Sequence, residues 1–439
     1  MTDYDVIVIG AGFAGSLAAR DLSLSGSRVL HLEARDRIGG RTWYKEFADT
    51  GHSVEFGGTW VCPDVQPHVK AVNDRYGLEL VDSPMPQSFG YVLNNEMSAS
   101  PFPIPMTEWC DFERALTYID TNAARIRFGE EPLGQEGLDD LDVSFEEFFD
   151  RKSWPVYTRE FILAWASFYF GAKPSEVSAL HILSWVAGFE NSAVGFFTGV
   201  SQKYAHGTKQ AIEAITGESR AELRLQTVVT EIDHEADSVT VRTRAGEKFT
   251  ARAVIVATPI NTWSDIEFDP KLEGAYSEMA KEKQTGESTK IWALVGNQET
   301  PFYGVGSSTR IKWLATEYQI PQGNLMCGFG CEEAALDVED SDAVAAAVKE
   351  LLPSADVIAV DAHAWNRDEF ANGTWMAYRP GQVMAYSRGL QEPVGRLVFA
   401  GSDLASGWAG WMDGALESGD RAAKYVQTLL TSELEVKPA

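Results

Sequence analysis

Val6-Ile7-Val8-Ile9-Gly10-Ala11-Gly12-Phe13-Ala14-Gly15 opens the chain, and Glu33 closes the next apolar run. The pattern spells strand, glycine-rich turn, helix, strand and acid. Gly10 permits the tight turn, Gly12 lets a pyrophosphate approach the backbone, and Gly15 lets the helix pack closely on the sheet. The helix N-terminus that follows offers free N–H groups and the positive end of its dipole to phosphate. Glu33, 18 residues past Gly15, is placed to hold ribose hydroxyls. With 38 glycines in the chain a bare GxGxxG arises by chance. The β-branched run before it and the acid after it make this one a dinucleotide site.

The residues after Glu33 narrow which dinucleotide. Arg35-Asp36-Arg37-Ile38-Gly39-Gly40-Arg41-Thr42 places a glycine pair and three arginines where a nicotinamide enzyme would enter its next crossover helix. Gly39-Gly40 breaks any such helix, so the loop can fold back over the pyrophosphate with Arg41 as a charge partner. A surface loop with solvated arginines is the plainer alternative. A second glycine element, Glu55-Phe56-Gly57-Gly58-Thr59-Trp60, would let a flat ring lie against backbone.

Residues 5–60 resemble the FAD-binding segment of the flavin amine oxidases, the family of monoamine, polyamine and L-amino-acid oxidases. The likeness continues through Ala253-Val254-Ile255-Val256-Ala257-Thr258-Pro259, similar to the strand that returns the chain to the FAD domain. It ends in Gly401-Ser402-Asp403 and Trp408-Ala409-Gly410-Trp411-Met412-Asp413-Gly414-Ala415, similar to the closing flavin motif. Within the family, Leu163–Ala166, Leu225–Val229 and Val256–Trp263 resemble bacterial hydroxynicotine oxidases.

The resemblance implies an α/β fold: a Rossmann-like FAD-binding domain interleaved with an α+β substrate domain of mixed sheet and helices. Residues 1–83, 196–275 and 384–432 would form the first, 84–195 and 276–383 the second, and 433–439 a tail. Periodicity reads 84–195 as largely helical, Val239–Thr243 as a hairpin strand and Glu417–Leu430 as an amphipathic helix.

The resemblance also assigns residues. FAD would be held by Gly10, Gly12, Gly15, Glu33, Arg35, Gly40, Arg41, Gly57, Gly58, Thr59, Ser402, Met412 and the backbone at Val229. Asp403, where relatives carry glutamate, would face the pyrophosphate or ribityl region with a shorter reach. Thr374 stands where covalent members carry a flavin-linking cysteine, so the FAD is expected to be noncovalent. Lys290 matches the lysine that holds a water near flavin N5; without the family, a strand-edge lysine with its amine in solvent is the simpler reading. Trp375 and Trp411 match the two aromatics that flank the substrate amine, at positions where many relatives have tyrosine.

Phe168 takes the place of a substrate-facing asparagine of the hydroxynicotine oxidases. An apolar ring cannot replace an amide hydrogen bond, which weakens the case for a hydroxypyridine substrate. Trp60, Phe168, Phe170, Trp185 and Phe196 would form an aromatic lining, with about half of them expected to be ordinary core.

The expected reaction is oxidation of a small, mainly apolar or aryl-bearing amine to an imine, with O2 reduced to hydrogen peroxide. Alternatives are a nicotine-type cyclic amine oxidase and a flavin amine dehydrogenase with another acceptor. A chromatin-type binding module would need an insertion for which 439 residues leave no room.

Composition sets further bounds. The net charge of −27 argues against nucleic acid and anionic membranes, and would draw in a cationic amine or merely aid solubility. No apolar run approaches the ~18 residues of a membrane span. The chain enters its first strand at once and ends in a short polar stretch, so neither signal peptide nor anchor is expected. Cys62, Cys110, Cys327 and Cys331 lack the paired short spacings of a zinc site, and no metal is expected. A reduced cytoplasmic enzyme is the expectation, and family habit favours a homodimer.

Overall fold

A computed structural model describes residues 2–234 and 237–436. The quoted β-branched run forms strand Tyr4–Ile9 inside a parallel core, paired with Val29–Leu32 on one side and Lys248–Val256 on the other. A strand so placed is buried on both faces, which explains why it reads as an unbroken apolar run rather than an alternating one. Val6 and Val8 face the helix Phe13–Leu24 and the long helix Met412–Val436, packing with Ala18, Leu22, Ala422 and Val426. Ile7 and Ile9 point the other way, with Leu30, Leu32, Val254 and Val256. Each such buried aliphatic side chain contributes about 1.5–3 kcal/mol.

The sheet continues from Lys248–Val256 through antiparallel strands Val239–Thr243 and Val229–His234 to Glu267–Asp269. Leu397–Phe399 pairs in parallel with the C-terminal part of Lys248–Val256, and Glu222–Arg224 flanks Val29–Leu32. The carboxyl ends of the parallel strands therefore open on one side, where Gly10, Glu33 and Ala257 stand. Open α/β sheets bind ligands at that edge.

A second, seven-stranded mixed sheet takes Thr289–Val295 as an inner strand, with Val357–Ala362 and Gly323–Gly330 antiparallel beside it. Ser88–Leu93 and Glu96–Ser98 add to its far side, so the stretch read as largely helical begins with strands. Its helices follow, among them Trp109–Ala123, Val156–Phe170 and Ala179–Gly188. One face of the second sheet, with Ile291, Ala293 and Val295, packs on helix Ser341–Leu351. The opposite face carries Lys290, Trp292 and Leu294, as the period of two requires. A small antiparallel sheet sets Gln202–Tyr204 between Trp60–Val61 and Leu80–Asp82.

The C-terminal helix begins before Glu417 and runs past Leu430, taking in residues first read as tail; 437–439 lie outside the described residues. Among the described residues no helix is long and apolar enough to cross a membrane.

Candidate active site

One cavity of about 790 Å³ runs from the edge of the first sheet to the inner face of the second. At its first end the glycine motif does three different jobs. Gly10 sits at φ +102°, and a Cβ there would meet Ala257 O at 2.7 Å. At Gly15 a Cβ would strike Gly10 O at 2.0 Å, so this glycine serves the helix–strand contact and not the cavity wall. Gly12 is different: a Cβ there meets nothing nearer than Gly40 Cα at 3.9 Å, so its glycine leaves open space in the cavity. Gly12 also caps helix Phe13–Leu24 with no side-chain hydrogen bond, leaving first-turn N–H groups free toward that space. This cradle suits an anion held by backbone.

Glu33 lines the same end, 4% exposed. Its carboxylate accepts the backbone N–H groups of Ala11 at 2.7 Å and Arg35 at 2.8 Å. A carboxylate has about four acceptor positions, so capacity remains for hydroxyl donors. Arg35 pairs with Asp368 at 2.5 Å, which brings Glu369, Phe370 and Asn372 to the wall. Val229, Thr227 and Arg244 complete this end.

The arginine loop does fold back. Gly39 N–H reaches Ala11 O at 2.8 Å, and Gly40 adopts φ +58° against Gly12. Arg41 donates to Thr374 O (2.7 Å), Ser402 Oγ (3.1 Å) and Asp403 Oδ1 (2.7 Å). Asp403 itself is buried and does not reach the cavity; its other oxygen accepts Ile260 N–H at 3.2 Å. Its short side chain ends on Arg41, which lines the cavity. Gly57 also has a reason other than the one expected. A Cβ there would hit Arg41 O at 2.0 Å, whereas Gly58 is only lightly crowded, by Thr42 Cγ2 at 3.3 Å.

At the far end Lys290 is 3% exposed, which rules out the solvent-facing alternative. Its amine donates to Gly57 O at 2.7 Å and to Thr59 Oγ1, and lies over the rings of Trp60 (5.2 Å) and Phe329 (5.5 Å). Burial pushes its proton affinity below the ordinary lysine range. Nearby Glu55, buried with one oxygen unpartnered, is pushed up to about 7 by the same desolvation.

Around Lys290 the wall is aromatic. Trp60, Phe168 and Trp185 line it; Phe170 and Phe196 do not, packing behind it on Trp185 at 4.1 Å and 5.9 Å. Trp375 and Trp411 both reach the cavity. Trp375 N–H is tied to Tyr169 O at 2.8 Å, a free carbonyl at the C-terminus of helix Val156–Phe170, whereas Trp411 Nε1 is buried without a partner. Met412 and Ser402 also line the wall. Sequence reasoning missed Trp313, Phe329 and Tyr169. Trp313 and Phe329 stand opposite each other on paired strands, a cross-strand pair that alternation alone could not aim.

A family model described as flavin containing amine oxidoreductase matches residues 13–427. The chain belongs to this family. It is a flavin-dependent amine oxidoreductase, similar over nearly all of its length to other members. The (S)-6-hydroxynicotine oxidase of Paenarthrobacter nicotinovorans is 34% identical over 96% of this chain and 99% of the relative. The pseudooxynicotine dehydrogenase of a Pseudomonas species is 33% identical over 98% of this chain and 87% of the relative. Among solved structures, putrescine oxidase with bound putrescine superimposes with a TM-score of 0.87 at 25% identity, covering 97% of this chain and 99% of that one.

Proposed function

We propose that this amine oxidoreductase binds FAD noncovalently and oxidises a small, mainly apolar or aryl-bearing amine, with O2 as electron acceptor and hydrogen peroxide as product. The observation that carries the substrate class is the wall around Lys290. Trp60, Phe168, Trp313, Phe329, Trp375 and Trp411 line it, and Lys290 is the charged side chain among them. Among the described residues no carboxylate shares this aromatic wall to fix a second ammonium, and no guanidinium to fix a carboxylate. Such a slot favours an amine whose remaining surface is hydrocarbon.

The cradle above Gly12 and the first turn of helix Phe13–Leu24 would hold the pyrophosphate, with Arg41 beside it. Glu33 would take ribose hydroxyls, and the Val229 backbone would take the adenine edge. Thr374, with a hydroxyl where a thiol could form a bond, supports noncovalent retention. A bound flavin supplies the two-electron acceptor of the reaction. This chain's residues do the rest: Trp375 and Trp411 confine the amine, the aromatic wall excludes water, and Lys290 offers a hydrogen-bonding amine in a dry setting. The substrate loses a hydride equivalent from the carbon next to nitrogen, and the imine hydrolyses after release.

A nicotine-type cyclic amine is the second reading, favoured by the 34% identity to a 6-hydroxynicotine oxidase. Phe168 counts against a hydroxypyridine ring, since it offers no amide partner. Anaerobic stopped-flow absorbance of the purified protein against primary, secondary and cyclic amines tests both readings. Bleaching by apolar primary amines, with peroxide on readmitting air, is expected. A flavin reduced only by cyclic amines would favour the second reading. A bleached flavin that air leaves reduced would point to another acceptor.

A further inference from the structure

Behind Trp60 lies a buried ion pair that the chemistry described so far does not use. Lys203 Nζ and Glu317 Oε2 are 2.7 Å apart, with side chains 2% and 3% exposed. Lys203 also donates to Glu317 O at 3.1 Å and lies 4.4 Å from the centre of the Tyr318 ring. Burying two charges costs several kcal/mol per ion before their attraction repays it, so the pair is poor evidence for stability by itself. Its position is more informative.

Glu317 falls where strand Trp313–Ile320 slips register against Gly323–Gly330, between Thr316 and Tyr318. Bulges of this kind re-aim a side chain, and here the carboxylate reaches the small sheet that carries Trp60. Lys203 is the strand partner of Trp60, and Ser83 follows the third strand of the same small sheet. Ser83 Oγ donates to Glu317 Oε2 at 2.6 Å. A carboxylate only accepts, so the single Ser83 proton is committed to it. The lone pairs of Ser83 are left for Lys203 Nζ at 3.3 Å and for Trp60 Nε1 at 3.3 Å. Ser83 Oγ is thus the acceptor of the half-buried Trp60 indole N–H. The Trp60 ring itself meets Lys290 and Trp313, which line the cavity.

We propose that Ser83, oriented by the Glu317–Lys203 pair, is a positioning residue that fixes the Trp60 wall and so sets the size of amine that the slot accepts. The role presupposes the amine-oxidising reading of the cavity. Glu317 and Lys203 lie behind the wall and touch no substrate; they determine which way Ser83 presents its lone pairs.

Ser83→Ala removes the acceptor of Trp60 and leaves the direct Glu317–Lys203 contact in place. Trp60→Phe removes the donor. In holoenzyme, Ser83→Ala should shift the ratio of kcat/KM for a bulky aryl amine over a small alkyl amine by about fivefold toward the bulkier one, the size of one neutral hydrogen bond. kcat should change little, and Ser83→Thr should restore the ratio. In the Trp60→Phe background Ser83→Ala should have no further effect on the ratio. Equal effects of Ser83→Ala in both backgrounds, or a loss shared by every amine, would overturn the proposal and leave Ser83 a purely structural role. Aniline, which has no α-hydrogen to lose, supplies a readout free of turnover. Its Kd from flavin absorbance should change with Ser83→Ala only when Trp60 is present. If no amine reduces the wild-type flavin, the amine reading fails on its own, and aniline binding still decides whether Ser83 acts through Trp60.

Discussion

Lys290 shows how much a single residue can conceal. Thr289-Lys290-Ile291-Trp292 alternates like any half-buried strand, and a lysine there normally sends its amine to water. The strand is instead an inner one, so Lys290 shares its face with Trp292 and Leu294. Only the likeness to a family motif pointed to the buried role, because alternation names a face without saying what covers it. Lys290→Met keeps the stem volume and removes a buried amine already disfavoured as a cation. The variant should stay folded, its Tm lowered by no more than the lost hydrogen bonds to Gly57 O and Thr59 Oγ1, while flavin turnover with amine falls by roughly a hundredfold, the size of one lost hydrogen-bond donor at a reacting centre. A rate within a few-fold of wild type would remove Lys290 from the chemistry. Glu55 leads to a prediction about pH. Burial raises its carboxyl to about 7 in the folded chain, above the ordinary value of 4.5. The native state therefore holds a proton that the unfolded chain has released, and the associated stability is present below about 4.5 and lost as pH rises through about 7. The full swing is on the order of 3 kcal/mol. Between pH 5 and pH 8 the Tm of wild type should fall more than that of Glu55→Gln, which keeps an acceptor for Thr208 N–H. Parallel curves would mean that Glu55 stays ionised throughout.

At the scale of elements, the strand–turn–helix at the N-terminus was legible because its glycines answer steric demands written in neighbouring residues. Gly15 is the strictest of them: a methyl would overlap Gly10 O. Gly15→Ala should push helix Phe13–Leu24 off the sheet and yield protein that loses its yellow colour on gel filtration; a variant that keeps both colour and Tm would show that the helix can shift freely. The aromatic helices were harder to read. Val156–Phe170 is buried around most of its circumference, so helical period marks Phe168 and Phe170 alike as interior. Only the neighbouring elements decide that Phe168 borders a cavity while Phe170 stacks on Trp185. Asp403 belongs to this scale too, since it joins the short turn Ser402–Leu404 to the arginine loop. Its 2.7 Å pair with the one-fifth exposed Arg41 side chain is shielded from water on the carboxylate side. Asp403→Ala would leave that guanidinium with Ser402 and Thr374 and strip Ile260 N–H of its acceptor. A loss of about 2 kcal/mol is expected, discounted for the solvent that reaches Arg41. It should show as a lower Tm together with faster FAD release, followed by the rise in free-flavin fluorescence. A lower Tm with unchanged release would mean that Asp403 supports the fold but not the grip on FAD.

Across the whole molecule, the wall of one cavity is drawn from the first strand–turn–helix, the end of Val156–Phe170, three strands of the second sheet and the turn before the last helix. No local pattern could announce that assembly. The chain leaves the first sheet, builds part of the second, and returns twice, with no linker composition to mark the crossings. The closing segment Trp408–Ala415 was legible only because its motif resembles others, whereas Trp313 and Phe329, which carry no motif, were not seen. The charge of −27 belongs to the molecule as a whole and acts over distance. Most aliphatic amines are cations in neutral water, and an acidic surface raises their concentration near the mouth of the cavity. This steering is screened beyond a Debye length of about 10 Å at 0.1 M salt. The second-order rate of flavin reduction by a protonated amine should therefore fall severalfold as salt rises from about 0.02 to 0.3 M, while the limiting rate at saturating amine stays constant. A weakly basic amine that is neutral at the same pH should show no such fall. If both amines respond alike, or neither does, the acidity has no part in substrate capture and serves solubility alone.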